Sequence, residues 1–284
     1  VSGIVHISDL HMGHEADPAL LDAVQDLVPD LEPRAIVLSG DLCKRARHGE
    51  FIAARSLVRD LGRTAPVVVV PGNHDVQWWW RPLIPFGCSA KYRKYVKYFG
   101  PTLNPTLSLP DMLIASVLTS HGIAWGSLTF QPRDLAVKGH LPNSEITRAR
   151  SLFSKAEPSQ LRVLVVHHNV LAGEISGRAG LVRWKQAQKR IAESGAEIVM
   201  CGHDHQECVE MLEDRVVVSC ASSLSTRTRG DNPAVFNRIT WDDDQIRVEL
   251  YRWESDRGLF RRTDVHAFGR VPGRVGEAKT GKKG

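Results

Sequence analysis

Five short runs of apolar, mostly β-branched residues break off into Asp, His or Asn, and they constrain this chain more than any other feature. They are GIVHIS (3–8), RAIVLS (34–39), PVVVVP (66–71), RVLVVH (162–167) and EIVMCG (197–202). A run that is apolar at nearly every position suits a strand covered on both faces, because a half-exposed strand would alternate. Helical periodicity fills the intervals. PALLDAVQDLV (18–28) and EFIAARSLVRDL (50–61) repeat apolar residues at the spacing of one helix face, and residues 144–156 and 183–194 also read as helices. The first three strands therefore alternate with helices as β-α-β-α-β. Later residues are richer in strand: MLIASVL (112–118), VVVSCA (216–221), AVFNRITW (234–241) and QIRVELYRW (245–253). The last two flank Asp242-Asp243-Asp244 and predict an antiparallel hairpin. The pattern predicts an α/β fold of two packed mixed β-sheets flanked by helices.

With 284 residues the chain is long enough to bury most of its apolar surface without staples. We expect one domain over residues 1–268, with an irregular, cap-like insert at about 77–110. The Gly- and Lys-rich tail, 269–284, has little to bury and is expected to be disordered. No apolar run approaches the ~18 residues of a membrane span, and the first residues read as a strand rather than a signal peptide. Five cysteines without a CxxC pair suit reduced thiols, hence a cytoplasmic protein. A net charge of +5 favours an anionic partner without requiring nucleic acid.

In an α/β sheet, sites form beyond the carboxyl ends of the strands. The residues there are Ser8-Asp9-Leu10-His11, Gly40-Asp41, Gly72-Asn73-His74-Asp75, His167-His168-Asn169 and Gly202-His203-Asp204-His205. Each alone is an ordinary turn or a hydrogen-bonded polar residue. Together they place carboxylates and imidazoles where a core cannot hold them without compensation. A pair of divalent cations compensates. Oxygen and imidazole donors without thiolate point to Mn, Fe, Zn, Co or Ni.

Asp9-x-His11, Gly40-Asp41, Gly72-Asn73-His74-Asp75, His167 and Gly202-His203-x-His205, in that order, resemble the calcineurin-like metallophosphoesterase superfamily. The resemblance implies an α/β/β/α sandwich with two metal ions. It implies Asp9, His11, Asp41 and His205 as ligands of one metal, and Asp41, Asn73, His167 and His203 as ligands of the other. His168 is the alternative to His167, and otherwise a neighbour able to meet substrate. His74 matches the phosphate-side histidine, with Asp75 behind it as its orienting carboxylate. The chain departs from the family pattern at Lys44, where a second Asp is frequent, and at Asn169-Val170, where Pro-Pro is common. Both departures alter loops and leave the ligand positions filled.

Two cations ~3.5–4 Å apart lower the pKa of a bridging water enough for a hydroxide to attack phosphorus. The expected activity is a phosphodiesterase acting on a small phosphodiester, such as a cyclic nucleotide. The layout is similar to the branch holding cyclic-nucleotide and glycerophosphodiester phosphodiesterases. A nuclease, a phosphomonoesterase and a hydrolase of phospholipid precursors are the enzymatic alternatives, and a non-catalytic metal-binding scaffold is the alternative of another class. Trp78, Arg81 and Arg45 are candidate substrate contacts. Tyr92, Tyr95 and Tyr98 fall at helical spacing in the basic insert and read as a packed stripe, a substrate cap, or both. Pairing of the last strands between subunits would give a homodimer.

Overall fold

The computed structural model describes residues 3–76, 89–122 and 137–270. The first half holds β1 (Ile4–Ile7), α1 (Pro18–Leu27), β2 (Ala35–Leu38), α2 (His48–Leu61), β3 (Val67–Val69), α3 (Arg93–Phe99), β4 (Thr106–Leu109) and β5 (Met112–Ser116). Then follow α4 (Asn143–Phe153), β6 (Leu161–Val165), α5 (Trp184–Ala192), β7 (Ile198–Cys201), β8 (Cys208–Leu212) and β9 (Val216–Cys220). Three long strands close the chain: β10 (Val235–Trp241), β11 (Gln245–Glu254) and β12 (Leu259–Gly269).

Two six-stranded sheets result, ordered β12-β11-β10-β1-β2-β3 and β4-β5-β6-β7-β9-β8. β1, β2 and β3 are parallel, and β10 joins β1 antiparallel. In the second sheet β5, β6, β7 and β9 are parallel, with β4 and β8 antiparallel at the edges. Both sheets are mixed, as expected.

The alternation of side chains builds three apolar layers. Ile4, Ala35, Val37 and Val68 face Val163, Val165, Ile198 and Met200 between the sheets. The intervening Val5, Ile7, Ile36, Leu38 and Val69 face outward and pack with Leu20 and Val24 of α1 and Phe51, Ala54 and Leu57 of α2. On the far side Leu164 and Val199 pack with Ile146 and Phe153 of α4 and Ile191 of α5. This double burial is why the five runs carry so few polar residues, and it fixes the α/β/β/α order.

The described part of the insert packs on the body. Tyr92 donates its hydroxyl hydrogen to the Ser120 carbonyl at 2.9 Å, and Tyr95 donates to the Val69 carbonyl at 3.1 Å. Tyr98 stacks on Phe51 at 5.4 Å. Lys94 donates to the Ala46 carbonyl at 2.8 Å, and Lys91 to that of His121. The tyrosine stripe is thus a packing surface for α3. The Trp78–Trp80 run, Arg81 and the tail beyond residue 270 lie outside the described residues.

Tyr95 is 1 % exposed. Tyr95→Ala is expected to cost about 3–5 kcal/mol in urea unfolding, whereas Arg93→Ala on the exposed face should stay within about 0.5 kcal/mol. Equal effects would mean that α3 is not docked as described.

Candidate metal centre

The carboxyl ends of β1, β2 and β3 in one sheet meet those of β6 and β7 in the other. Asp9, His11, Asp41 and His205 come together there, with one ligand atom of each lying within 4.8 Å of the others. His11 Nε2 and His205 Nε2 are 3.0 Å apart, and Asp9 Oδ1 lies 3.3 Å from His205 Nε2. On the other side of Asp41, its Oδ1 is 3.4 Å from His167 Nε2. Asn73 Oδ1 lies 3.1 Å from His167 Nε2 and 2.9 Å from His203 Nδ1. Asp41 stands between the two groups, as the bridging position requires. All seven residues assigned as ligands from the sequence are therefore in one place.

His168 joins the second group by position. It neighbours His167 and His203, but both of its ring nitrogens are engaged. Nε2 donates to the Val137 carbonyl at 3.0 Å, so Nδ1 accepts from the Thr119 hydroxyl at 2.8 Å. The ring is 1 % exposed and does not line the cavity. In this arrangement it sits buried behind the cavity surface, beside His167.

The backbone is unusual here. Asp9, His11, Asp41, His203 and His205 all have left-handed φ, between 44° and 77°. Such non-glycine residues are uncommon, and they cluster where surrounding structure imposes them for function. The glycines beside them allow close approach. A Cβ on Gly72 would lie 2.1 Å from Asp41 Oδ1, and one on Gly202 would lie 1.8 Å from Ser8 Oγ and 2.4 Å from Asp9 Oδ2.

Each carboxylate is held by one oxygen and left open at the other. Asp9 Oδ2 accepts from the Ser8 hydroxyl at 2.6 Å and the His203 amide at 2.8 Å. Asp41 Oδ1 accepts from the His74 amide at 2.8 Å. Asp9 Oδ1 and Asp41 Oδ2 are buried without a hydrogen-bond donor among the described residues. Burial pushes both carboxyls up, yet the surrounding histidines hold both well below the usual range. Two ionised, buried carboxylates with open oxygens facing imidazole nitrogens fit a cation site.

The histidines respond to this charge in different ways. Burial pushes His167 down, but Asp41 and then Asp9 carry it up to about 9. Its Nδ1 donates to the Ser39 carbonyl at 2.8 Å, which leaves Nε2 for a ligand. Burial and the neighbouring His167 push His203 down to about 3.

His74 lines the cavity next to Asp41. Its Nδ1 donates to the Lys44 carbonyl at 2.8 Å, which fixes the ring's orientation. Asp75 does not orient it directly, contrary to expectation. The Asp75 carboxylate accepts instead from the amides of Gly72 (2.8 Å), Cys43 (2.9 Å) and Leu42 (3.1 Å). It pins the loop after Asp41, and that loop presents the Lys44 carbonyl to His74. The role is indirect because Asp75 is buried beneath the loop rather than beside the ring.

The cavity above these residues encloses about 600 Å³. Arg45, singled out from the sequence, lines it, and so do Lys44, Lys138, Arg178, Arg227 and Arg229. The last four were missed. They sit on loops far apart in sequence, and no local spacing marks them.

Residues 3–207 match the family model described as calcineurin-like phosphoesterase. A transmembrane protein with a metallophosphoesterase domain from Danio rerio is 28 % identical over 106 residues, 34 % of this chain and 23 % of that protein. The match thus spans less than a quarter of that relative. A dimetal phosphatase from Danio rerio superposes with a TM-score of 0.66 at 12 % identity, covering 95 % of this chain and 99 % of that one. The purple acid phosphatase PPD1 of yellow lupin gives 0.62 at 13 % identity, covering 95 % and 54 %. At these identities the superpositions establish the shared fold.

Two measurements test the geometry. Gly202→Ala is expected to keep the fold by far-UV circular dichroism while losing most bound metal by elemental analysis. Undiminished metal would contradict the placement of Asp9. Cation uptake by the metal-free protein must expel the His167 proton, which is bound below about pH 9. Apparent affinity should therefore rise with pH, by about tenfold per unit up to that value, in a calorimetric titration.

Proposed function

The chain belongs to the calcineurin-like phosphoesterase family, and from that premise we propose that it is a metal-dependent hydrolase of a small phosphodiester. The observation that carries the reading is the pair of buried carboxylates with open oxygens, Asp9 Oδ1 and Asp41 Oδ2, surrounded by four imidazoles and the Asn73 amide. Asp9, His11, Asp41 and His205 would hold one divalent cation. Asp41, Asn73, His167 and His203 would hold a second. Bound there, two such cations supply positive charge at the phosphate and a water acidic enough to ionise near neutral pH.

The chain's own groups do the rest. Ser8 and the His203 amide fix Asp9, and Asp75 fixes the Asp41 loop. The Lys44 carbonyl fixes the tautomer of His74. Burial pushes His74 below its ordinary value, while Asp41 pulls the other way, so a phosphate anion beside the ring favours its protonated form. Nε2 then gives that proton to the departing alkoxide oxygen, which is where a diester needs help. The basic cavity wall attracts the anionic substrate.

Metal analysis combined with turnover tests the proposal. Purified protein should retain divalent metal and hydrolyse bis(p-nitrophenyl) phosphate faster than p-nitrophenyl phosphate. Faster monoester cleavage would make it a phosphomonoesterase, and the absence of both metal and turnover would favour a scaffold. Asp41→Asn should lose metal and activity together. His74→Ala should keep metal and lower kcat by about 10²–10⁴-fold, and wild-type turnover would remove His74 from the mechanism.

A further inference from the structure

The metal ligands leave one part of the cavity unexplained. Asp204, between His203 and His205, is buried, and its carboxylate points away from both groups of ligands. It accepts from Arg229 Nη2 at 3.0 Å, from the Ser176 hydroxyl at 2.7 Å and from the Gln206 amide. The Asp204 carbonyl accepts from Arg229 Nε at 3.2 Å. Ser176 in turn receives the Arg178 amide at 3.1 Å, and Asn169 donates to the Arg178 carbonyl at 2.9 Å. One carboxylate thus ties together the loop after β6, carrying Arg178, and the loop after β9, carrying Arg227 and Arg229.

The tie is built at close quarters. A Cβ on Gly173 would lie 1.8 Å from Asp204 Oδ2, and one on Gly180 would lie 2.2 Å from Asn169 Oδ1. Only glycine lets the loop press this tightly against its clamp.

The result is a wall of three arginines facing the cavity that also contains Asp41, Asn73, His74, His203 and His205. Arg178 and Arg227 are exposed and have no ion-pair partner among the described residues. Glu15, which feels Arg227, is itself ion-paired with Lys44 at 2.7 Å. Arg229 is neutralised by Asp204 at 3.0 Å, but Arg178 and Arg227 beside it carry no such counter-charge, and an oxyanion among them relieves the cost of gathering them. A single phosphodiester carries one negative charge, and the metal centre already meets it. The wall is therefore in excess of what such a substrate needs.

We propose that Arg178, Arg227 and Arg229 form a second anion subsite, which binds a phosphate group of the substrate other than the one cleaved. Resting on the phosphodiesterase reading, this narrows the substrate to a small diester bearing an additional phosphate, such as a nucleotide ester phosphorylated on its sugar. A cavity of about 600 Å³ is within the range for one such molecule. A simple cyclic nucleotide would leave the wall empty.

Binding and turnover test this separately. In metal-free protein tripolyphosphate meets only the basic residues of the cavity, and the double variant separates the arginine wall from Lys44, Arg45 and Lys138. Calorimetry should show tripolyphosphate bound at least tenfold more tightly than orthophosphate. Arg178→Gln/Arg227→Gln should abolish that preference, whereas Arg55→Gln, on the exposed face of α2, should not. Equal binding of the two anions, or a double variant that keeps the preference, would overturn the subsite.

In the metal-loaded enzyme, thymidine 5′-(p-nitrophenyl phosphate) is compared with its 3′-phosphorylated form. The double variant should raise KM for the phosphorylated form at least tenfold and for the other less than threefold. Equal changes would overturn the proposal. A single-stranded oligonucleotide that loses more affinity than the nucleotide would overturn the small-molecule assignment. If neither ester is cleaved by wild-type protein, the phosphodiesterase reading fails, and the tripolyphosphate result still decides the subsite.

Discussion

Two carboxylates, Asp9 and Asp41, are ionised where water cannot reach them. An uncompensated buried charge is among the largest penalties a fold can carry, and much of the architecture follows from answering it. Four imidazoles and an amide gather around the pair, with His11 and His205 nearest the open oxygens. Five left-handed residues and several glycines bend the strand ends inward so that these groups can meet. Without a bound cation, a proton on His167 supplies part of the missing positive charge, which is why that ring is driven up while His203 is driven down.

The parallel strands and the grouping of the seven candidate ligands were legible in the sequence for one shared reason. A doubly buried strand must be apolar throughout, so a polar residue just beyond its end stands out. Three of the four edge strands, β4, β8 and β12, lacked this contrast, whereas the edge strand β3 kept it. β12 is exposed along most of its length, and its Arg261-Arg262-Thr263-Asp264 stretch carries no apolar alternation. β4 and β8 are likewise half-exposed edges and were not identified. Residues that act through backbone groups were also hidden. The sequence places Asp75 beside His74, and only the folded loop shows its three amide contacts with Leu42, Cys43 and Gly72. Similarly, His168 and His167 are equivalent as letters. The carbonyl of Val137 and the hydroxyl of Thr119 distinguish them.

Arg178, Arg227 and Arg229 show a different limit. Their common location depends on Asp204 joining two loops more than twenty residues away from each other through the chain's order of strands. Family motifs mark the metal centre because its chemistry demands particular residue types. The opposite wall of the cavity sits on connecting loops, which vary more freely and commonly carry specificity. In the proposed reading, the dense set of candidate ligands carries the reaction and the loop-built arginine wall the choice of substrate.

The strand order also orders events in time. β1, which delivers Asp9 and His11, is made well before its outer neighbour β10, which begins only at Val235. A chain emerging from the ribosome therefore carries an open sheet edge beside an unshielded pair of carboxylates until the residues from Val235 onward are made. His203 and His205 arrive late as well. The centre closes only when both the distant histidines and β10, β11 and β12 have docked, so a chain that stops before Val235 presents a bare β1 edge to its neighbours.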